Sequence, residues 1–524
     1  MASRKALQLR FPRFLFGARE SQQTRDLRSP EAEWKAARRI CIFIGFVFFL
    51  KFAAFALFIT PLWDSPDEPG HYSYVLDLSH GHYPILGEAR IDRDVVDSWL
   101  GPKHHQGYNW IAQHPPLFYA LTAPAVVATR AMGAGFDAQV HAARLVSSAI
   151  GALAILGLMA FLTLATGRAL LGIAGGVFIG ATPMFTQLAG AVTHDTLVAC
   201  TAAWGAWWYT RWIMSNAWSH ALICALVIGL GCITKVTMLA VAVPLFFAMG
   251  YRVLCDDGPG NIRTKFGRLA LLWLVMFLPV VLWIGHNLLQ FHSPLPDARL
   301  LGVYATKPNH MGFLDFMQRY PVWQIILLNF VALIGWMGTL PAKALTAQAD
   351  GLVAGFYCAA ILCCSLAAIA HAFRTHQQRA LAWPWVAAFA VAAVIICATM
   401  TKYHYSMITC AALFVAVVWA GASNGRLLRG DGEDAWLMFT GCVFILLFSL
   451  AYYHRILEGY REISHVKALH GRYFYPVLPF FALLMLRPLR RGWLPVAALC
   501  VAVAALVVSD GFFLHYAFEM YGKY

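Results

Sequence analysis

Charge is what this chain has least of. Asp, Glu, Lys and Arg make up 13% of its 524 residues against 60% hydrophobic ones, and mean hydropathy is +0.61. Soluble domains carry about 25% charged residues, so the shortage excludes a water-soluble globular enzyme and requires a polytopic membrane protein. Acid is scarcer than base, with 26 Asp and Glu against 40 Lys and Arg for a net charge of +14. That excess suggests nucleic acid at first sight, but the basic residues gather in the N-terminal tail and in short connections between apolar runs. Such a distribution is the positive-inside bias of membrane proteins, and it argues against a nucleic-acid partner. Internal repeats, low-complexity tracts and a soluble domain at either end are also lacking. None of the twelve cysteines falls in a segment expected outside the membrane, so no disulfide framework is implied.

What is there is a succession of apolar runs. Residues 1–39 hold ten Lys and Arg against four Asp and Glu, and the run over 40–60 carries one charge, Lys51. A run of ~20 residues spans a bilayer core and exceeds the apolar part of a cleaved signal peptide. The basic tail is therefore expected in the cytoplasm and residues 61 onward outside. Further apolar segments lie near 141–166, 169–189, 196–214, 218–233, 236–251, 267–287, 350–373, 382–400, 405–421, 435–453, 473–487 and 492–509. About thirteen crossings result. They keep the basic clusters Arg252 to Arg268, Arg374 to Arg379, Arg426 to Arg429 and Arg487 to Arg491 cytoplasmic, provided that 115–131 and 322–340 lie along the interface or re-enter. The expected organisation is an all-α protein: a basic cytoplasmic tail over 1–39, then one multi-spanning domain over 40–524. Within that domain, 61–140 is a first extracytoplasmic loop with interfacial helices.

The polar residues on the outer side are unevenly spread. Residues 61–114 carry eight of the 26 acidic residues and six of the 19 histidines. Directly after the first apolar run stands Asp64-Ser-Pro-Asp-Glu-Pro-Gly-His71. Adjacent carboxylates beside an apolar surface repel each other and lose hydration, which raises the proton affinity of one and suits the Asp67–Glu68 pair to general-base work. Pro66 and Pro69 stiffen the turn, and a helix over 70–79 puts His71 about one turn from Asp67. The plainer role is a helix N-terminus carrying acids to complement its dipole. His114-Pro-Pro-Leu117 opens an apolar helix, with proline where a missing N–H costs nothing. His80, His82, His104 and His105 have no second zinc-type motif nearby, so a divalent metal is not supported by spacing and no cofactor is implied.

Asp195, in Thr193-His-Asp195, sits between two spans and either caps a helix or binds a ligand. Lys235 follows Thr234 at an outer hairpin end, where its ammonium attracts phosphate or snorkels to the interface. Arg472, in His470-Gly-Arg-Tyr-Phe-Tyr-Pro476, is suited to forked bonding with phosphate oxygens, with Tyr473 and Tyr475 lining a sugar or lipid path. Acids to deprotonate an acceptor and cations to hold an anionic leaving group, all at one water–lipid boundary, are what lipid-linked sugar transfer needs. The donor would be a polyprenyl-phosphate-linked sugar in the membrane lipid, and the acceptor a cell-envelope glycan, lipid or protein. The alternative is a transporter or flippase of a lipid-linked saccharide, which binds with the same charges and breaks no bond. Transporters show repeated halves or broken helices around midplane charges, whereas here the polar residues collect at one face.

The order Pro66-Asp-Glu-Pro-Gly-His71, Leu78-Ser-His-Gly81, His114-Pro-Pro-Leu117, His194-Asp195, Thr234-Lys235, Trp283 with Asn287, Gly335-Trp336 and Gly471-Arg-Tyr473 resembles an uncharacterised bacterial membrane family, number 2142 among domains of unknown function. More distantly, the acidic first loop and the His-Pro-Pro-Leu segment look like GT-C fold glycosyltransferases of the protein O-mannosyltransferase and aminoarabinose transferase type. The resemblance implies a GT-C-like bundle of about thirteen transmembrane helices in a bacterial inner membrane, acting on the periplasmic side. It further implies inverting transfer from a polyprenyl-phosphate sugar, metal-independent or metal-assisted, with Asp67 as base and Glu68 as its partner. His71, His114, Asp195, Lys235, His286, Asn287, Arg472 and Tyr473 are then the expected substrate-binding residues. Thr193 and His194 stand where relatives often carry asparagines. His286 stands where an arginine often precedes the asparagine, so it would bind phosphate only when protonated.

Overall fold

A computed structural model describes residues 29–255, 261–296, 308–312, 315–316, 433–464 and 470–487, with scattered positions between 497 and 511. The described residues are helical, with no strand beyond one backbone bridge between Arg90 and Tyr108. Helix α1, Pro30–Ala54, starts where the sequence supplies an N-cap: the Ser29 hydroxyl accepts from the Ala32 N–H, Pro30 opens the first turn, and Glu31 and Glu33 face the positive end of the dipole. It runs on through a π-helical turn over Phe55–Ile59, and the two form one apolar helix of 30 residues.

Among the described residues four helices are long and apolar enough to cross a membrane: Pro30–Ile59, α5 (Phe136–Thr166), Val236–Leu254, which contains most of α10 (Leu239–Cys255), and α11 (Ile262–Phe291). The segment expected to cross over 169–189 is instead two helices, α6 (Ala169–Gly180) and α7 (Pro183–Ala189), bent by 73°. Pro183 is the cause: it lacks an N–H to continue the ladder and drives Thr182 into extended backbone. Counted as one span, the pair makes five. Helix α9, Trp218–Cys232, has 15 residues, about 22 Å at 1.5 Å per residue, and falls short of a ~30 Å hydrocarbon core by itself. The remaining helices of the bundle are α8 (Asp195–Ser215), α12 (Glu433–Ile463) and α13 (Leu478–Leu486). The run expected over 473–487 begins as a 3-10 turn over Gly471–Val477 before α13. The crossings expected at 350–373, 382–400 and 405–421, the interfacial stretch 322–340 and most of 492–509 lie outside the described residues.

The first loop is a folded layer of its own. It holds α2 (Glu68–Ser79), α3 (Arg93–Trp99), a 3-10 turn over Trp110–Gln113, and α4 (Leu117–Ala131). At 15 residues α4 is also too short to span, and it packs on α2 and α5. Trp63, Tyr72, Tyr74, Val75, Phe118 and Tyr119 belong to a buried core separate from the main helix bundle. Helix α5 joins the two layers, touching α4 on one side and α1, α6 and α8 on the other. Gly70 on α2 shows how close the packing is: a Cβ there would lie 2.6 Å from Ile111 and 3.1 Å from the Asn109 Oδ1. Because that space is free, the Asn109 amide reaches over to donate to the Gly70 carbonyl at 3.1 Å.

Candidate active site

The acidic pair divides. Asp67 has φ +65°, a left-handed conformation that a non-glycine residue seldom takes. It occupies the N-cap of α2 without capping it, so its carboxylate turns outward and accepts from the Trp110 indole (3.1 Å) and from Arg472 Nη2 (2.8 Å). Glu68 turns the opposite way, into the protein. It is fully buried against Arg144 of α5, accepting from Nε at 2.8 Å and Nη2 at 2.7 Å, and it also accepts from the backbone N–H of Trp63 and Val192. The other N–H groups of Arg144 donate to the carbonyls of Ala56, Thr60 and Pro61. Every guanidinium donor is thereby used. Glu68 is thus a strut between the end of α1, the first loop and the turn before α8, and its carboxylate faces away from that of Asp67.

This changes the electrostatics expected for adjacent acids. Burial works to raise the Asp67 pKa, but the Arg472 guanidinium, its hydrogen bond and that of Trp110 outweigh it and hold the carboxyl down at about 2. Repulsion by Glu68, which would have raised it, is answered by Arg144. Asp67 is therefore an ionised, hydrogen-bond-accepting group at neutral pH and a feeble base.

Around Asp67 the fold gathers residues from four distant parts of the chain. His71 follows one helical turn on, its N–H bonded to the Asp67 carbonyl at 3.0 Å. Asp195, the first residue of α8, accepts from Lys235 Nζ at 2.6 Å, and its Oδ2 lies 3.6 Å from Arg472 Nε. Lys235 and Arg472 flank the Tyr473 ring, at 4.6 and 5.8 Å from its centre. Two acids thus face two cations. Burial opposes ionisation of Asp195, and Lys235 and Arg472 reverse that and lower its pKa. The pairs differ in access: the Asp67 side chain is 26% exposed, that of Asp195 2%. Arg472 is itself buried; its Nε meets only the Asp195 carboxylate, at 3.6 Å, and its Nη1 has no hydrogen-bond partner. A buried donor left unmatched costs about 1–3 kcal/mol, which makes this guanidinium a ready seat for an anion.

The histidines form the opposite wall. Tyr119 of α4 places its hydroxyl 2.9 Å from His71 Nδ1 and 2.9 Å from His194 Nδ1. The His114 ring lies against that of His194 at 4.6 Å, and the His114 carbonyl accepts from Tyr74. Burial is the main reason these imidazoles stay neutral, His71 pushed down to about 4 and His114 to about 3. His286 and Asn287 are placed elsewhere: His286 is exposed on α11 with its ring edge on Tyr83, and Asn287 donates to the Pro294 carbonyl. Their positions follow from helix phase, which sends neighbours to different faces.

Tyr119, Trp110 and Arg144 belong to the site without being among the residues expected there from sequence. The signal for Arg144 was present, since a guanidinium inside an apolar run demands a partner; for Tyr119 there was none, because buried aromatics are common in any core. Among the described residues no three His, Cys, Asp or Glu side chains converge to hold a metal ion. Both carboxylates of the cluster are already met by protein cations, so the residues present do not fit a divalent ion between them.

Residues 114–283, about a third of the chain, match the family model described as dolichyl-phosphate-mannose-protein mannosyltransferase. The matched stretch contains His114, Tyr119, His194, Asp195 and Lys235 and leaves out Asp67 and Arg472. No curated protein matches the chain. Among solved structures it is similar to the oligosaccharyltransferase of Archaeoglobus fulgidus. In its complex with zinc and sulfate the identity is 14% and the TM-score 0.42, over 90% of this chain and 53% of that one. In the complex with an inhibitory peptide and a dolichol-phosphate they are 13% and 0.44, over 92% and 56%. This chain therefore spans about half the length of those proteins. The match speaks for the more distant of the two resemblances, and membership of the family numbered 2142 is not shown by it. Together with the long apolar helices, the match supports a membrane glycosyltransferase of the GT-C type.

Proposed function

We propose that this protein transfers a sugar from a polyprenyl-phosphate donor to a cell-envelope acceptor at the extracytoplasmic face of a bacterial inner membrane. One observation carries the reading: Arg472 is buried, paired on one edge with the accessible Asp67, and left with an unmatched Nη1, and it shares the Tyr473 ring with the Lys235 ammonium. The donor phosphate would fill those positions. Its charge grows from one to two as the sugar–oxygen bond breaks, and cations already held in place stabilise that growth without reorganising. Asp67, the more exposed carboxylate, would accept a hydrogen bond from the acceptor hydroxyl and orient it toward the anomeric carbon. Tyr473, half-buried between the two cations, would pack on the sugar or the first isoprene unit. Glu68 has no part in binding here and acts by holding the loop.

The test is transfer by the purified protein supplied with polyprenyl-phosphate sugars and candidate acceptors. Wild type should form product, R472A should lose donor binding, and D67N should bind donor but turn over slowly, by on the order of 10²-fold or more. Full activity in D67N would overturn the role of Asp67. Binding or translocation with no product from any donor would replace the transferase with a carrier.

A further inference from the structure

We infer that His71, Tyr119 and His194 form a proton wire that carries the acceptor's proton across the cluster to the departing phosphate. The inference rests on the transferase reading above, and it answers a problem that reading leaves. Transfer from a phosphate ester releases a proton, and Asp67, locked to Arg472, is a poor place to keep it.

The geometry supplies a path. Three side chains from three elements, α2, α4 and the residue before α8, meet at one hydroxyl, with both nitrogen–oxygen distances 2.9 Å. His71 and His194 are 1% and 2% exposed and Tyr119 is fully buried, so no bulk water competes. A tyrosine hydroxyl has one proton. In a continuous chain it donates to one imidazole and accepts from the other, so the two histidines must hold opposite tautomers. His194 Nε2, at the far end, is buried without a hydrogen-bond partner and lies 3.6 Å from Asp195 Oδ1, the atom that holds Lys235. The wire thus begins one helical turn from Asp67 and ends beside the Asp195 carboxylate that holds the Lys235 ammonium. The charged and titratable groups around it are Asp67 and His114 of the first loop, Asp195 and Lys235 of the bundle, and Arg472 before α13.

The step balances. The acceptor oxygen bonds to the anomeric carbon as the bond from that carbon to the phosphate oxygen breaks, its electron pair leaving on the phosphate. The acceptor proton passes to His71 Nε2, the His71 Nδ1 proton to the Tyr119 oxygen, the Tyr119 proton to His194 Nδ1, and the His194 Nε2 proton to the phosphate. One proton enters and one leaves. Both imidazoles finish in the opposite tautomer; once product has left, water entering the vacated donor and acceptor sites gives one proton to His194 Nε2 and takes one from His71 Nε2, and the reverse relay through Tyr119 restores them. Tyr119, which touches no substrate, is a positioning residue in this scheme.

Y119F tests it on the full chain, since phenylalanine keeps the ring stacked on Tyr74, 3.9 Å between centres. Wild type should show a solvent deuterium effect that curves with deuterium fraction, the mark of several protons in flight. Y119F should lower kcat by about 10²-fold, within the range of general acid–base contributions, leave donor KM unchanged and make that dependence linear. Wild-type turnover with an unchanged curve in Y119F would overturn the wire. Nitrogen-15 histidine spectra of wild type give a readout apart from activity. Opposite tautomers at His71 and His194 that Y119F uncouples support the wire, and matching tautomers overturn it. If wild type makes no product, the transferase reading falls, and these spectra alone decide whether the wire exists.

Discussion

Asp67 and Glu68 are neighbours in sequence with opposite fates, and the difference is one of backbone angle. The left-handed Asp67 rotates its side chain off the axis of α2 while Glu68 enters the helix facing inward. Substituting Glu68 by glutamine keeps its shape and removes half of a fully buried ion pair, a loss of about 3–5 kcal/mol. E68Q should therefore unfold at lower denaturant concentration than D67N, measured in detergent, while D67N mainly loses turnover. The histidines set a pH dependence. An unfolded chain protonates them near 6.5, and folding holds His71 at about 4 and His114 at about 3. Between 6.5 and those values the unfolded state binds more protons, so stability rises with pH and is level above about 7. Asp67, held at about 2, adds a loss only below the ordinary carboxylate value of 3.8. Thermal unfolding at a series of pH values should show a decline from 6.5 downward that H71Q makes shallower.

At the scale of elements, the site depends on how α2 is seated. Its first turn carries Asp67 to His71, its flank rests on the 3-10 turn over Trp110–Gln113, and Glu68 ties it to α5 and to Val192 just before His194–Asp195. One strut therefore sets the spacing between the accessible acid and the buried one. G70A forces a methyl group to 2.6 Å from Ile111 and should cost about 1–3 kcal/mol as an overpacked contact. Its activity should fall further than its stability, because α2 and Trp110 shift apart, which a comparison of kcat with unfolding midpoint reads directly. One helix start was legible in sequence, the prolines before Leu117 that open α4, whereas α1 begins at Pro30, ten residues before the apolar run at 40, because its first turns are polar and capped by Ser29. The break at Pro183 was legible too, yet an uninterrupted apolar count over 169–189 concealed it, because hydropathy does not register a missing N–H.

For the whole molecule, composition decided membrane residence, and the charge asymmetry predicts which ends face which side. Asp67, Asp195, Lys235 and Arg472 were each expected outside on counts made tens to hundreds of residues apart, and the fold brings all four together. The orientation itself is tested at Cys255, the last residue of α10. A membrane-impermeant thiol reagent should label it only after cells are opened, and labelling of intact cells would invert the topology.

By itself the sequence determined the solvent, through apolar runs too long and too many for water, and it supplied the ionisable residues that would be costly inside lipid. Which acid meets which cation was decided only by tertiary structure. Pairing Asp67 with Arg472 joins residues 405 apart, and pairing Glu68 with Arg144 joins a loop to a bilayer-length helix. Local propensity acts over a turn or two, whereas a buried charge is stable only beside its partner, and that partner is found by the packing of the whole chain.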